Sequence, residues 1–269
     1  MKDKVVIVTG ASSGIGKSLA YEFGNQGAKV VIAARNFVLL NEVADDLQKL
    51  GVDVLAVPTD VSIEEDCIHL IGKTVEKYSK IDILINNAGI SMRALFADLN
   101  LEVIHRMMNT NFWGTVYCTK YALPYLLKTG GSLVGVISIG GYVGMPGRSG
   151  YSASKFAVRG FLDAVRIENR KNALHVLVVA PGFTTSNIRR TALLADGSPQ
   201  GDTPRDETKM MSAEAVAQHI IKAIAGRKRN LILTFLEGKF IVFLGKFWPS
   251  LHDKLIYFSF AREPKSPLK

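Results

Sequence analysis

Residues 4–16 read KVVIVTGASSGIG. The apolar, β-branched run from Lys4 to Thr9 predicts a strand, Gly10, Gly14 and Gly16 a tight turn, and Leu19, Ala20 and Phe23 a helix behind it. Gly27 ends that helix and Val30 to Ala33 begins a second apolar run, so one strand–helix–strand unit closes within about 30 residues. The cycle then repeats. Leu39 to Leu50 is helical in period, Val52 to Val57 a strand, Glu64 to Tyr78 a helix with Ser62 as its N-cap, and Ile81 to Ile85 a fourth strand. Leu101 to Leu127 reads as one long helix interrupted near Gly114, with Pro124 close to its end. Strands follow at Leu133 to Ile137, Leu174 to Ala180 and Leu231 to Thr234, and helices at Tyr151 to Asn169 and Ala213 to Ala225. Short apolar strands alternating with helices predict a single doubly wound α/β domain, a parallel sheet of about seven strands covered on both faces.

Composition narrows the class. Of 269 residues, 48% are hydrophobic and 21% charged, which excludes disorder as a description of the whole chain. Cys67 and Cys118 are too few for a disulfide framework and read as buried thiols of a reducing compartment, and no metal-type spacing of Cys and His occurs. The apolar run after Met1 is too short for a signal peptide, so the expected location is cytoplasmic. The net charge of +9 is uneven: Arg227 to Lys269 carries nine basic and three acidic residues, or +6, leaving +3 for the rest. Without a nucleic-acid motif beside it, that charge does not indicate a nucleic-acid binder.

The chemistry lies where strands end. In an open α/β sheet the first strand–helix turn is the usual phosphate site, because glycines let backbone approach a pyrophosphate and the helix N-terminus offers free N–H groups. Gly10, Ser12, Ser13, Gly14, Ile15 and Gly16 occupy that turn. A carboxylate closing the second strand would repel a 2′-phosphate; Ala34 stands there and Arg35 follows, which favours NADP(H) over NAD(H). Tyr151 and Lys155, four apart, share one helix face, where an ammonium would favour the phenolate and suit the tyrosine to proton exchange with a carbonyl or alcohol oxygen. Ser138, at the end of the fifth strand, is placed to bind the same oxygen.

Together with Asp60-Val61, Asn86-Asn87-Ala88-Gly89, Asn111 and Pro181-Gly182, these motifs resemble, in order and spacing, the short-chain dehydrogenase/reductase (SDR) family, NADP-preferring members included. The resemblance implies a Rossmann fold and a catalytic set at Asn111, Ser138, Tyr151 and Lys155. Tyr151 would be the general acid or base, Lys155 would bind the nicotinamide ribose and depress the tyrosine pKa, Ser138 would orient the substrate oxygen, and Asn111 would hold a water. It further implies adenine contacts from Asp60 and Val61, a cofactor cleft lined by Asn87, Ala88 and Gly89, and nicotinamide contacts from Pro181, Gly182 and Thr184. Homodimers or homotetramers built on the two long helices are implied as well. Ile137 replaces the first of two serines, Ser186 a usual threonine, and Ser13 a second basic residue of some NADP users, which leaves the 2′-phosphate to Arg35.

Substrate choice is assigned to a mobile loop at 184–212, where Gly197, Ser198, Pro199, Gly201, Asp202 and Pro204 cluster, and to the segments 91–96 and 141–148. Their apolar members, Met92, Leu95, Tyr142, Val143, Met145, Phe183, Ile188, Leu193 and Leu194, indicate a small apolar carbonyl or alcohol substrate or else pack the loop on the core. Residues 1–234 form the expected catalytic domain and 235–269 a basic, aromatic-rich extension. It holds eight of the 23 aromatics between Phe235 and Phe260, broken at Pro249, and could rest on anionic membrane, cover the cleft or form an interface. A nonenzymatic sensor or scaffold that merely registers NADPH is the alternative function; it would have no need of Ser138, Tyr151 and Lys155 together.

Overall fold

A computed structural model describes residues 1–203, 207, 210–264 and 266–268; Pro204 lies outside them. Strand β1 (Val5–Thr9) leads through the glycine turn into α1 (Gly14–Asn25), followed by β2 (Lys29–Ala34), α2 (Phe37–Lys49), β3 (Val54–Pro58), α3 (Glu64–Tyr78) and β4 (Ile83–Asn86). The second half runs α4 (Leu101–Met107), a π-helical turn (Met108–Trp113), α5 (Gly114–Thr129), β5 (Ser132–Val136), α6 (Ser149–Glu168), β6 (His175–Ala180), α7 (Ala213–Ala225) and β7 (Asn230–Ile232). A second π-helical turn (Phe235–Phe240) and helices α8 (Ile241–Phe247) and α9 (Pro249–Ala261) follow.

Among the described residues the strands form one parallel seven-stranded sheet in the order β3-β2-β1-β4-β5-β6-β7. The inner strands β1, β2, β4, β5 and β6 are largely apolar and buried on both sides because both faces are covered. In β1, Val6 and Val8 turn toward Leu19, Phe23 and Leu40 on one face, while Val5 and Ile7 turn toward Leu70, Cys118 and Leu126 on the other. Chain order reverses between β1 and β4, so the ends of these two strands diverge into the crevice where such folds bind ligands.

The expected elements are present, with local differences. The break in the long helix is the π turn at Met108–Trp113, just ahead of Gly114. Gly114 itself allows close approach: a Cβ there would lie 2.7 Å from Val61 Cγ2. Ser62 does not cap α3; its hydroxyl and N–H both go to Asp60 Oδ1, and Ile63 takes the N-cap place without a side-chain bond. Cys67 and Cys118 are buried and unbridged, their sulfurs 3.5 Å apart. The 184–212 stretch, expected as a mobile loop, is tied down where it is described. Leu193 bridges Met92 and Pro199, and Thr184 bridges Met211.

Candidate active site

The nucleotide side of the crevice is built from backbone. Gly10 and Gly14 have φ of +67° and +52°, a left-handed conformation that costs glycine little. Ser13 stands at the N-cap of α1 but accepts no cap hydrogen bond, and the first turn holds no acidic residue, so the N-terminal N–H groups and their partial positive charge are left for an external anion. A Cβ on Gly16 would sit 2.2 Å from the Gly10 carbonyl oxygen. Thr9 locks this turn to the end of β4: its Oγ1 accepts from the N–H groups of Asn87 and Ala88, while Asn87 Nδ2 donates to the Thr9 carbonyl at 2.9 Å. Thr9 was legible only as part of the motif. These residues fit a dinucleotide: a bare cradle at a helix end, with the chain held open by glycine.

At the outer end, Arg35 follows β2 and lies exposed, its guanidinium 3.8 Å from Asp60 Oδ2. Asp60 sits past the end of β3, and Val61 beside it turns its side chain into the core against Gly114. At the inner end, Ala88 and Gly89 follow β4. A Cβ on Gly89 would lie 3.1 Å from Asn111 Oδ1 and 3.2 Å from Lys155 Nζ, so the lack of a side chain keeps that wall low.

Asn111 lies in the π turn, nearly fully buried, and its amide grips the backbone of Ile90: Ile90 N–H donates to Oδ1 at 2.8 Å, and Nδ2 donates to the Ile90 carbonyl at 3.0 Å. Nδ2 also reaches Ser154 Oγ on α6. The Asn111 side chain is thus occupied in joining the π turn, the chain after β4 and the helix that carries Tyr151. The π turn re-aims this residue where a regular helix would have continued.

Ser138 lies two residues beyond β5, its Oγ accepting from Gly140 N–H and close enough to the Tyr151 phenol to favour its ionised form. Tyr151 packs on Met92, Met107 and Leu193, and Lys155 Nζ lies 5.9 Å from its ring centroid, as the four-residue spacing predicts. The electrostatics differ from expectation. Burial holds the Tyr151 pKa above its ordinary value, opposed by the Ser138 hydroxyl and by the positive charge of Arg148. Lys155 is itself pushed down to about 8 by burial, and its ammonium donates to the Val136 carbonyl at 3.0 Å. Sequence alone marks Arg148 only as the end of the 141–148 segment.

Ser138, Tyr151, Lys155, Asn87, Gly89, Pro181, Gly182 and Thr184 line one cavity of about 450 Å³ with Ile15. Its remaining wall is mainly apolar. Val143, Met145, Phe183 and Ile188 face it, whereas Met92 and Leu193 are spent packing beneath Tyr151. The C-terminal segment roofs it with Leu236, Phe240, Ile241, Leu255, Ile256 and Phe260. The two arginines in the lining, Arg148 and Arg189, pair with Glu263 and Glu207.

Residues 4–195 match the family model for short chain dehydrogenase. Relatives include the dehydrogenase/reductase SDR family protein 7-like of Drosophila melanogaster, 35% identical over 93% of this chain and 78% of that protein. The 11-beta-hydroxysteroid dehydrogenase-like 4A of Arabidopsis thaliana is 39% identical over 81% of this chain and 74% of its own. Among solved structures, a short-chain dehydrogenase/reductase from Burkholderia phymatum in complex with NAD shares the fold with a TM-score of 0.78 at 23% identity, over 86% of this chain and 88% of that one. An alcohol dehydrogenase from the archaeon Thermococcus sibiricus complexed with 5-hydroxy-NADP matches with a TM-score of 0.76 at 24% identity, over 86% and 96%.

Proposed function

The chain belongs to the short-chain dehydrogenase/reductase family, and from that premise as an oxidoreductase of CH–OH and C=O groups we propose that it uses NADP(H) on a mainly apolar small molecule. The observation that carries this reading is the single cavity in which Ser138, Tyr151 and Lys155 meet the glycine-lined crevice on one side and an apolar roof on the other. The dinucleotide would lie along Gly10 to Gly16 with its pyrophosphate at the N-terminus of α1, its adenosine end beside Asp60, Val61 and Arg35, and its nicotinamide between Asn87–Gly89 and Pro181–Thr184. When bound, it supplies or accepts the hydride.

The protein's own groups handle the proton and the fit. Ser138 Oγ and Tyr151 Oη converge on one point of the cavity, where the substrate oxygen is held by both. In reduction the Tyr151 phenol gives its proton to that oxygen as negative charge develops; in oxidation the phenolate takes it back. Lys155, one turn along α6, stands below the reacting end, and Asn111 fixes the wall that Gly89 forms. Burial excludes water and keeps the phenol protonated at neutral pH, the state that carbonyl reduction requires. The apolar lining, and a relative named for hydroxysteroids, support steroid-like, acyl or aromatic ketones and secondary alcohols as the substrate class.

Arg35 tests the cofactor assignment. NADPH is expected to raise the melting temperature more than NADH, and Arg35→Asp to reverse the order by repelling the 2′-phosphate, worth about tenfold or more in affinity. Equal responses of both proteins to both nucleotides would remove the preference.

The proposal extends to peripheral contact with anionic membrane. No helix among the described residues is long and apolar enough to cross one, yet Phe235, Phe243, Phe247, Trp248, Leu251, Tyr257 and Phe258 are exposed on the C-terminal segment, amid Lys239, Lys246 and Lys254. Cosedimentation with anionic but not neutral vesicles, weakened by salt, is expected. A protein that stays in the supernatant with both would exclude the contact and leave an interface between copies of the chain as the use of this face.

A further inference from the structure

The C-terminal segment brings one carboxylate into the interior. Glu263, only 4% exposed, follows α9 and places Oε2 3.3 Å from Arg148 Nη2 and 3.5 Å from Arg93 Nη2. Arg93 also donates to the Pro264 carbonyl at 2.7 Å, and the Arg148 guanidinium lies 4.8 Å from the Phe260 ring centroid. Two elements 115 residues apart are therefore joined at one buried point.

Arg148 stands at the N-cap of α6, three residues before Tyr151, and lines the same cavity. A guanidinium against an apolar wall loses hydration and is drawn to solvent unless a carboxylate compensates it in place. Here the compensating group arrives from the far end of the chain, carried under Phe260. Among the described residues, the other charges that face this region are Lys155 on α6, Arg93 after β4, and Arg189 with its partner Glu207 after β6.

We propose that Glu263 is a positioning residue: it holds the Arg148 guanidinium against the cavity wall beside Tyr151, so that the C-terminal segment sets the charge environment of the proton transfer. The proposal rests on Tyr151 as the proton-transfer group only for its kinetic consequence. Arg148 opposes the upward push of burial on the phenol, so an arginine released from its place leaves Tyr151 harder to ionise. Loss of the Glu263 negative charge, acting directly, would make it easier. The two routes have opposite signs, and a role in stability alone moves neither.

The test reads the Tyr151 phenolate in the full-length protein by NMR of isotope-labelled tyrosine Cζ near pH 10.5, assigned by comparison with Tyr151→Phe. Arg148→Met is expected to lower the phenolate population by about threefold or more, Glu263→Gln to lower it by a similar factor, and the double variant to go no further than Arg148→Met alone. A rise in phenolate in Glu263→Gln, no change, or a fall that persists on the Arg148→Met background would overturn the proposal. Should Glu263→Gln fail to fold, Glu263→Asp, which keeps the charge but withdraws it by one methylene, is read in its place with the same expected sign. Alcohol oxidation below the phenolate midpoint should fall by the same factor in each single variant. A phenolate response as stated without any turnover would sink the oxidoreductase reading and leave the placement of Arg148 standing.

Discussion

The crevice has two halves made by different means. Over β1 and β4 it is shaped by backbone: positive φ at Gly10 and Gly14, absent side chains at Gly16 and Gly89, and the Thr9–Asn87 hydrogen bonds that fix how far the two strands part. Beyond β5 and β6 it is shaped by side chains, from Ser138 and Tyr151 to the roof of Phe240, Leu255 and Phe260. A backbone-built half accepts one ligand geometry and little variation. A side-chain-built half can be re-cut for a new substrate while the nucleotide cradle stays as it is.

The sharpest way to break that contrast is Gly16→Ala. Its Cβ would meet the Gly10 carbonyl oxygen at 2.2 Å and Asn87 Nδ2 at 2.6 Å, and the first of these is main chain that cannot swing aside. Complete loss of nucleotide-induced thermal stabilisation is expected, with destabilisation of about 2 kcal/mol or more from the forced shift. Retention of the nucleotide response would mean that the turn tolerates displacement and that the cradle is less rigid than its glycines imply.

A second test, read in stability alone, separates the side-chain half. Burial lowers Lys155 from 10.5 to about 8, so between those values the unfolded chain binds more protons than the folded one. Stability from this group therefore rises with pH across that window, and the cost of charging the buried amine is fully present below it. Lys155→Met removes the cost along with the hydrogen bond to Val136. Its stability relative to the wild type should be more favourable at pH 7 than at pH about 10.5, by on the order of 3 kcal/mol, in denaturant titrations at the two pH values. A difference independent of pH would place the amine in contact with solvent.

How much of this was legible follows the same division. The turn at 10–16 could be read because a backbone that needs positive φ or close approach writes glycine into the sequence, and the strands could be read because burial on both faces leaves continuous apolar runs. Tyr151 and Lys155 were legible as a pair because helix geometry makes four residues one face. The π turn was legible only as an interruption near Gly114, since the sequence does not say which form the break takes, and Asn111, buried with its amide spent on Ile90, reveals what the extra backbone turn accomplishes. Ser62 failed as a cap because the helix begins one residue later, with Ile63 at the N-cap, and its hydroxyl is turned back to donate to Asp60 Oδ1. The pairing of Arg148 with Glu263 lay beyond reach, for nothing local marks two charges separated by the whole second half of the fold. The sign of the Tyr151 shift followed suit: the lysine was visible from spacing, whereas the burial that outweighs any nearby charge depends on Met92, Met107 and Leu193 arriving from elsewhere.

The most direct test of the proposed function is Tyr151→Phe, which removes one oxygen from the cavity and leaves the nucleotide half untouched. The account predicts that NADPH raises the melting temperature of the variant as it does that of the wild type, while turnover of an apolar ketone falls on the order of a thousandfold. Unchanged turnover with unchanged nucleotide binding would contradict the assignment of the proton transfer to Tyr151.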